Sequence, residues 1–91
     1  MQYNNEKTLQ LVNLLGKIIK NQRTKISQKT LNIFAYEYDL SPGSISRIEN
    51  GIVEAKITML WRISEALGIP LSTIIKELED ELGNDFTIYD K

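Results

Sequence analysis

The stretch that decides the fold runs from Phe34 to Gly51 and reads FAYEYDLSPGSISRIENG. Ser41 followed by Pro42 is typical of a helix start, because a serine hydroxyl accepts from free backbone amides and proline lacks an amide that this position leaves unpaired. Asn50 followed by glycine is typical of a helix end, where glycine adopts the left-handed conformation. The stretch therefore predicts a short helix from Pro42 to Asn50.

The same stretch predicts a second helix that meets the first at a steep angle. Ala35 supplies the small residue that two crossing helices need at their contact, and Asp39 tolerates the positive φ of a tight turn. Leu40 and Ile45 are expected to fill the angle between the helices. This spacing predicts a helix-turn-helix over about 28–51.

Apolar residues outside this motif recur at spacings of three and four and predict three further helices. The first helix is expected from Glu6 to about Arg23, and Ser27 is the expected cap of the second, which ends near residue 39. Thr58 and Ser72 are the expected caps of the fourth and fifth helices. The expected inward face of the second helix comprises Leu31, Phe34, Ala35 and Tyr38.

Two glycines end the last helices, and a short tail follows them. Gly68 stands where a left-handed helix end is expected, and Gly83 stands at the expected end of the fifth helix. The tail alternates polar and apolar residues through Phe86 and Ile88, which indicates a short strand or an extended arm. We therefore predict an all-α fold, with a five-helix domain over 6–83 and a C-terminal arm over 84–91.

The composition excludes several classes of chemistry. The chain has 91 residues, 42% hydrophobic and 25% charged, which is ordinary for one globular domain. It contains no cysteine and no histidine, so thiol nucleophiles, a Ser-His-Asp relay and the common zinc sites are absent. The carboxylates between Glu77 and Glu81 lack the loop glycine of a calcium site. We expect no enzymatic activity, no metal, no cofactor and no small-molecule ligand.

The cellular location is expected to be cytoplasmic. No apolar stretch approaches the roughly 20 residues that span a bilayer, so we expect no contact with a membrane. The first 15 residues lack a signal-peptide pattern, since Glu6 and Lys7 precede a short, interrupted apolar stretch. The absence of cysteine fits a reducing compartment.

Charge is distributed unevenly along the chain. The net charge of −1 and the pI near 5.4 argue, taken alone, against nucleic acid as a partner. Residues 1–50, however, hold seven cations and four anions, a sum of +3, whereas residues 51–91 hold four cations and eight anions, a sum of −4. Such asymmetry indicates a charged partner on one side, and an uneven surface without a partner is the alternative.

The sequence resembles the lambda-repressor and Cro-like (Xre-type) DNA-binding domains from about Leu15 to Leu78. The resemblance is carried by SISRIENG at 44–51, LGK at 15–17 and ISEALGI at 63–69. It implies a five-helix fold in which the helix Pro42–Asn50 enters the major groove and the preceding helix crosses the phosphate backbone. It also implies a dimeric transcriptional regulator, which we expect to be a repressor, with double-stranded DNA as its partner.

The resemblance also assigns roles to individual residues. Arg23 matches the helix-one arginine that pairs, in this family, with the glutamate of the Glu-Asn-Gly turn, here Glu49. Arg47 is expected on the outward face, with the length and bidentate geometry to reach a phosphate or a guanine edge. Gly43 is expected to permit close approach of the backbone to DNA, and simple tolerance of glycine in the first turn is the alternative. The candidate DNA contacts are Gln28, Lys29, Thr30, Ser41, Gly43, Ser44, Ser46, Arg47 and Asn50.

One family position has no settled counterpart. The glutamine that begins helix two usually stands about four residues before the small residue of the motif, whereas Gln28 precedes Ala35 by seven. Lys29, Thr30 and Asn32 therefore compete with Gln28 for that role.

Two further questions stay open at the sequence level. A protein that binds DNA as a two-fold symmetric dimer needs a self-complementary surface. The alternative is that the residues of the C-terminal arm pack within one chain. The second candidate function is a protein-interaction module on this fold, such as an antitoxin or adaptor, favoured by the low basic charge and the sparse side chains at Pro42 and Gly43. The candidate dimer contacts are Ile75, Leu78, Leu82, Phe86 and Ile88.

Overall fold

A computed structural model describes residues 5–89 of the chain and confirms the predicted all-α class with five helices. No strand occurs within residues 5–89. The helices are α1 (Glu6–Ile26), α2 (Leu31–Glu37), α3 (Pro42–Glu49), α4 (Ile57–Leu67) and α5 (Leu71–Leu82).

Helix α1 is the longest element and extends one turn beyond its predicted end. Asn5 caps it, with the side-chain oxygen accepting from the backbone amides of Lys7 and Thr8. The helix continues past Arg23 to Ile26 because no helix breaker stands in this turn. The last turn is exposed and carries no apolar stripe, so hydrophobic periodicity could not detect it.

Helix α2 begins later than predicted. Thr30, not Ser27, is its N-cap, and the Thr30 hydroxyl accepts from the amide of Ile33. Ser27 ends α1 instead, and its amide donates to the carbonyl of Arg23. The prediction that Tyr38 faces inward is also wrong, because α2 ends at Glu37 and Tyr38 is 48% exposed.

The turn and α3 follow the sequence prediction closely. Asp39 adopts a φ of 55°, the only positive φ of a non-glycine residue between residues 5 and 89. Ser41 caps α3 by accepting from the amide of Ser44, and Pro42 occupies the first helical position. Gly51 follows the C-cap of α3 with a φ of 71°.

The caps predicted for the last two helices are wrong, whereas their ends are confirmed. Helix α4 has Lys56 at its N-cap position, and α5 has Pro70; neither residue makes a side-chain capping bond. Thr58 and Ser72 therefore lie inside the first turns. Gly68 and Gly83 are the C-caps, as predicted.

All five helices contribute buried residues to the core, and α1 packs against α3, α4 and α5. Gly16 allows the closest approach: a Cβ there would overlap the carbonyl oxygen of Ile48 and lie 2.9 Å from that of Glu49. Ala35 and Ile45 are fully buried where α2 meets α3. This packing fixes the position of α3 against the rest of the domain.

The C-terminal arm begins with a turn at residues 84–85. Residues 86–89 form no regular element, and the Asn5 side chain donates to the carbonyl of Ile88 at 3.4 Å. Residue 88 thus lies beside the start of α1. Residues 90 and 91, the last of the predicted arm, lie outside the described residues.

Candidate nucleic-acid interface

The buried base of α3 is held by an ion pair between Arg23 and Glu49. The guanidinium donates from Nε to Oε2 at 2.7 Å and from Nη2 to Oε1 at 3.0 Å, a bidentate arrangement. Both residues are 7% exposed. The structure thus brings together the two residues to which the resemblance assigned a structural pair. Glu49 is the one acidic residue of α3, and its charge is neutralised away from the surface.

The outer face of α3 carries Arg47, whose side chain folds back along the helix. Its Nη2 lies 3.4 Å from the hydroxyl oxygen of Ser44, and its Nη1 lies beside Gly43. Helical side chains lean toward the helix start, so the guanidinium of residue 47 covers the turn formed by residues 43 and 44. The exposed guanidinium therefore adds its charge to the positive end of the helix dipole.

Polar groups line the two ends of α3. At the start, Ser41 is exposed and its hydroxyl accepts from the Ser44 amide. At the end, the Asn50 side chain donates to the carbonyl of Ser46 at 2.9 Å and lies 3.3 Å from the Ser46 hydroxyl. The side chains of Ser46 and Asn50 therefore interact with each other. The Asn50 amide and the Ser46 hydroxyl would have to break these hydrogen bonds to contact another molecule.

The candidates near α2 lie in the segment that joins it to α1. Gln28 is exposed and precedes α2 by three residues, so it does not occupy the helix-start position of the family's glutamine. Thr30 occupies the cap itself. Lys29 is exposed and forms an ion pair with Glu37 at 2.5 Å; this hydrogen bond raises the pKa of Lys29 above its usual value. Lys29 is thus charged but already paired.

Sequence reasoning missed two cations beside α3. An open groove of about 400 Å³ separates α3 from the start of α4, and its lining includes Arg47, Lys56 and Arg62. Arg62 Nη2 donates to the carbonyl of Asp39 at 3.0 Å, which ties α4 to the tight turn. No local pattern marks Lys56 or Arg62, since only the tertiary fold brings them next to α3.

The predicted dimer residues fall into different environments. Leu78 is 7% exposed and belongs to the core, so it offers little surface to a second copy, contrary to its predicted role. Leu82 packs against the same core. Ile75 and Phe86 are half-buried, and Ile88 is 44% exposed. The remaining apolar surface among these candidates comes from the arm and from Ile75 and Leu82 of α5.

Comparison with known proteins agrees with this geometry. A model of the family described as "Helix-turn-helix" matches residues 19–74, which span α2, the turn, α3 and α4. The chain belongs to the lambda-repressor-like (Xre-type) helix-turn-helix family. Control protein C.MunI from a Mycoplasma species is 35% identical over 65 residues, covering 71% of this chain and 84% of that protein.

Membership in this helix-turn-helix family identifies the chain as a DNA-binding transcriptional regulator. The match includes the whole of α3, so the face described above belongs to the family's DNA-binding motif. Within residues 5–89, no helix is long and apolar enough to cross a membrane.

Proposed function

We propose that this helix-turn-helix protein is a sequence-specific repressor that binds DNA as a homodimer and inserts α3 into the major groove. Occupation of a promoter site by such a dimer would exclude other proteins from that site. Family membership establishes a DNA-binding regulator. The proposal adds how the protein recognises DNA and that it represses transcription. The similarity to a protein named as a control protein supports a regulatory role.

The observation that carries the proposal is the electrostatic state of α3. The helix presents an exposed guanidinium over its first turn, and its one carboxylate is buried against Arg23. The positive end of the helix dipole lies at that same first turn. An arginine can donate two parallel hydrogen bonds to guanine or to a phosphate. The face is therefore suited to a polyanion that offers base edges.

Cations on either side of α3 supply candidate contacts to the phosphate backbone. On the α2 side Lys29 is available once it exchanges Glu37 for a phosphate, and Gln28 and Thr30 are neighbouring donors. On the α4 side Lys56 and Arg62 flank the groove. Backbone contacts of this kind orient a protein on the duplex, whereas contacts to base edges give sequence preference.

We expect Arg47→Ala to weaken binding to the operator about 10-fold to 100-fold, the range expected from loss of one bidentate contact. A contact to a base would also show as reduced preference for one base pair of the operator. A contact to phosphate would instead lower the slope of log affinity against log salt concentration by about one. Fluorescence anisotropy with a labelled duplex, titrated at several salt concentrations, measures both effects.

Lys76→Ala is the matched control for Arg47→Ala. It removes the same charge from α5, where Lys76 pairs with Asp80 and both are exposed. We expect operator affinity to remain unchanged in this variant. Unchanged affinity in Arg47→Ala would instead show that α3 does not bind DNA through its arginine, and the proposed site would be wrong.

A selection from a randomised duplex library tests sequence specificity and the homodimer together. We expect recovery of a near-palindromic sequence with half-sites about 10 base pairs, or a multiple of that, apart. Sedimentation of the complex should show two chains per duplex, and Ile88→Glu should weaken the dimer if the arm forms its contact. If the protein is folded and the selection enriches no sequence, the alternative function as a protein-interaction module would be favoured instead.

The direction of regulation needs a transcription assay. The selected operator is placed within a promoter that drives a reporter gene, and the protein is supplied in trans. We expect reporter expression to fall, whereas a rise would identify an activator.

A further inference from the structure

Gly43 lies in the first turn of α3 without a conformational reason to be glycine. The positive φ values of glycine between residues 5 and 89 occur at Gly51, Gly68 and Gly83, and Gly43 is not among them. Glycine within a helix destabilises it relative to alanine, because it loses more conformational freedom on folding. The backbone conformation therefore does not require glycine at this position.

A Cβ at position 43 would meet one close neighbour. It would lie 3.3 Å from Nη1 of Arg47, tighter than an ordinary van der Waals contact, and 3.9 Å from the Ser41 hydroxyl. The close neighbour is the tip of a flexible arginine, so the domain could accept the Cβ if the guanidinium moved. Gly16 differs, since its Cβ would meet backbone carbonyls that cannot move independently.

The group that this Cβ would displace is the guanidinium of Arg47, which makes the proposed contact with DNA. Arg47 stands four residues after Gly43, and its side chain leans over that turn and lies 3.4 Å from the Ser44 hydroxyl. That hydrogen bond is long, so it holds the guanidinium weakly. A Cβ at residue 43 would therefore make the guanidinium shift from its place at the start of α3.

We infer that Gly43 is a positioning residue for Arg47: the missing side chain leaves the space in which the guanidinium lies over the first turn of α3. This inference rests on the proposed function and adds a determinant of specificity to it. It also differs from the expectation that Gly43 itself comes close to DNA. In the present inference Gly43 acts through Arg47, so its effect depends on the arginine.

A double-mutant cycle separates these possibilities. We expect Gly43→Ala to weaken operator binding about fivefold, part of the effect of one bidentate contact, and to leave binding to a scrambled duplex unchanged. The melting temperature should stay the same or rise, since alanine favours the helix. In an Arg47→Ala background, Gly43→Ala should cause no further loss of operator affinity, because the guanidinium that it would displace is absent.

The remaining outcomes overturn the inference. If Gly43→Ala lowers operator affinity equally in the wild-type and Arg47→Ala proteins, the added Cβ collides with DNA directly. No loss in the wild-type background would show that the guanidinium reads DNA from another position. The failure of the proposed function is recognised separately, because Arg47→Ala alone would then bind the operator as tightly as the wild-type protein.

Discussion

Replacing Arg23 with methionine is expected to lower the free energy of unfolding by about 3–5 kcal/mol, the usual cost of leaving one charge of a buried pair without its partner. Glu49 would remain buried, and the two hydrogen bonds that it accepts from the guanidinium would be lost. Because Glu49 ends α3, the end of this helix would lose its ion pair to α1. Urea unfolding followed by circular dichroism measures the change.

An exposed ion pair provides the control for the Arg23 variant. Lys76 and Asp80 lie one turn apart on α5 at 2.8 Å, and both side chains are more than half exposed. Lys76→Ala should leave the free energy of unfolding nearly unchanged, because solvent screens an ion pair between exposed side chains. A second variant, Arg23→Met with Glu49→Met, should recover part of the lost stability, since no lone charge then stays buried. A cost below about 1 kcal/mol for Arg23→Met would contradict the role of this pair.

Gly16→Ala is expected to destabilise the domain by about 3 kcal/mol or more, at the upper end of the range for overpacking a core. The added methyl would overlap the carbonyl oxygen of Ile48, and the neighbouring obstacle is the carbonyl of Glu49. Neither can move without shifting α3 away from α1. For a domain of this size, the melting temperature should fall by about 12–24 °C.

The same substitution at Gly43 is the control for Gly16→Ala. Its Cβ would meet only the end of a flexible side chain, so the melting temperature should not fall. Comparable losses at both positions would contradict the role of Gly16, because alanine favours the helix at each position and only the Cβ at position 16 would meet backbone atoms.

The parts of the fold that were predictable from sequence depend on local rules. Ser41 and Pro42 start α3, and Gly68 ends α4, because hydroxyl caps, proline and left-handed glycine act within a few residues. The same rules were wrong at Ser72. There Pro70 already holds the extended backbone that precedes a helix, so α5 begins at Leu71 without a hydroxyl cap.

Other features depend on contacts between distant segments. The inward assignment of Tyr38 extended the helical period one residue past the end of α2, where side chains no longer follow it. The burial of Leu78 was not apparent because periodicity marks an apolar face without showing what covers it. The bond from Arg62 to the Asp39 carbonyl joins residues 23 apart, and no local pattern indicates it.

The attachments of the helix-turn-helix determine which partner must adapt during binding. The turn before α3 is tied to α4 by Arg62, and the end of α3 is tied to α1 by the pair of Arg23 and Glu49. A helix fixed at both ends cannot tilt to follow an irregular groove. In the proposed complex the duplex would therefore have to bend or change its groove width, at an elastic cost that depends on its sequence. Base pairs that the protein never touches would then contribute to operator choice.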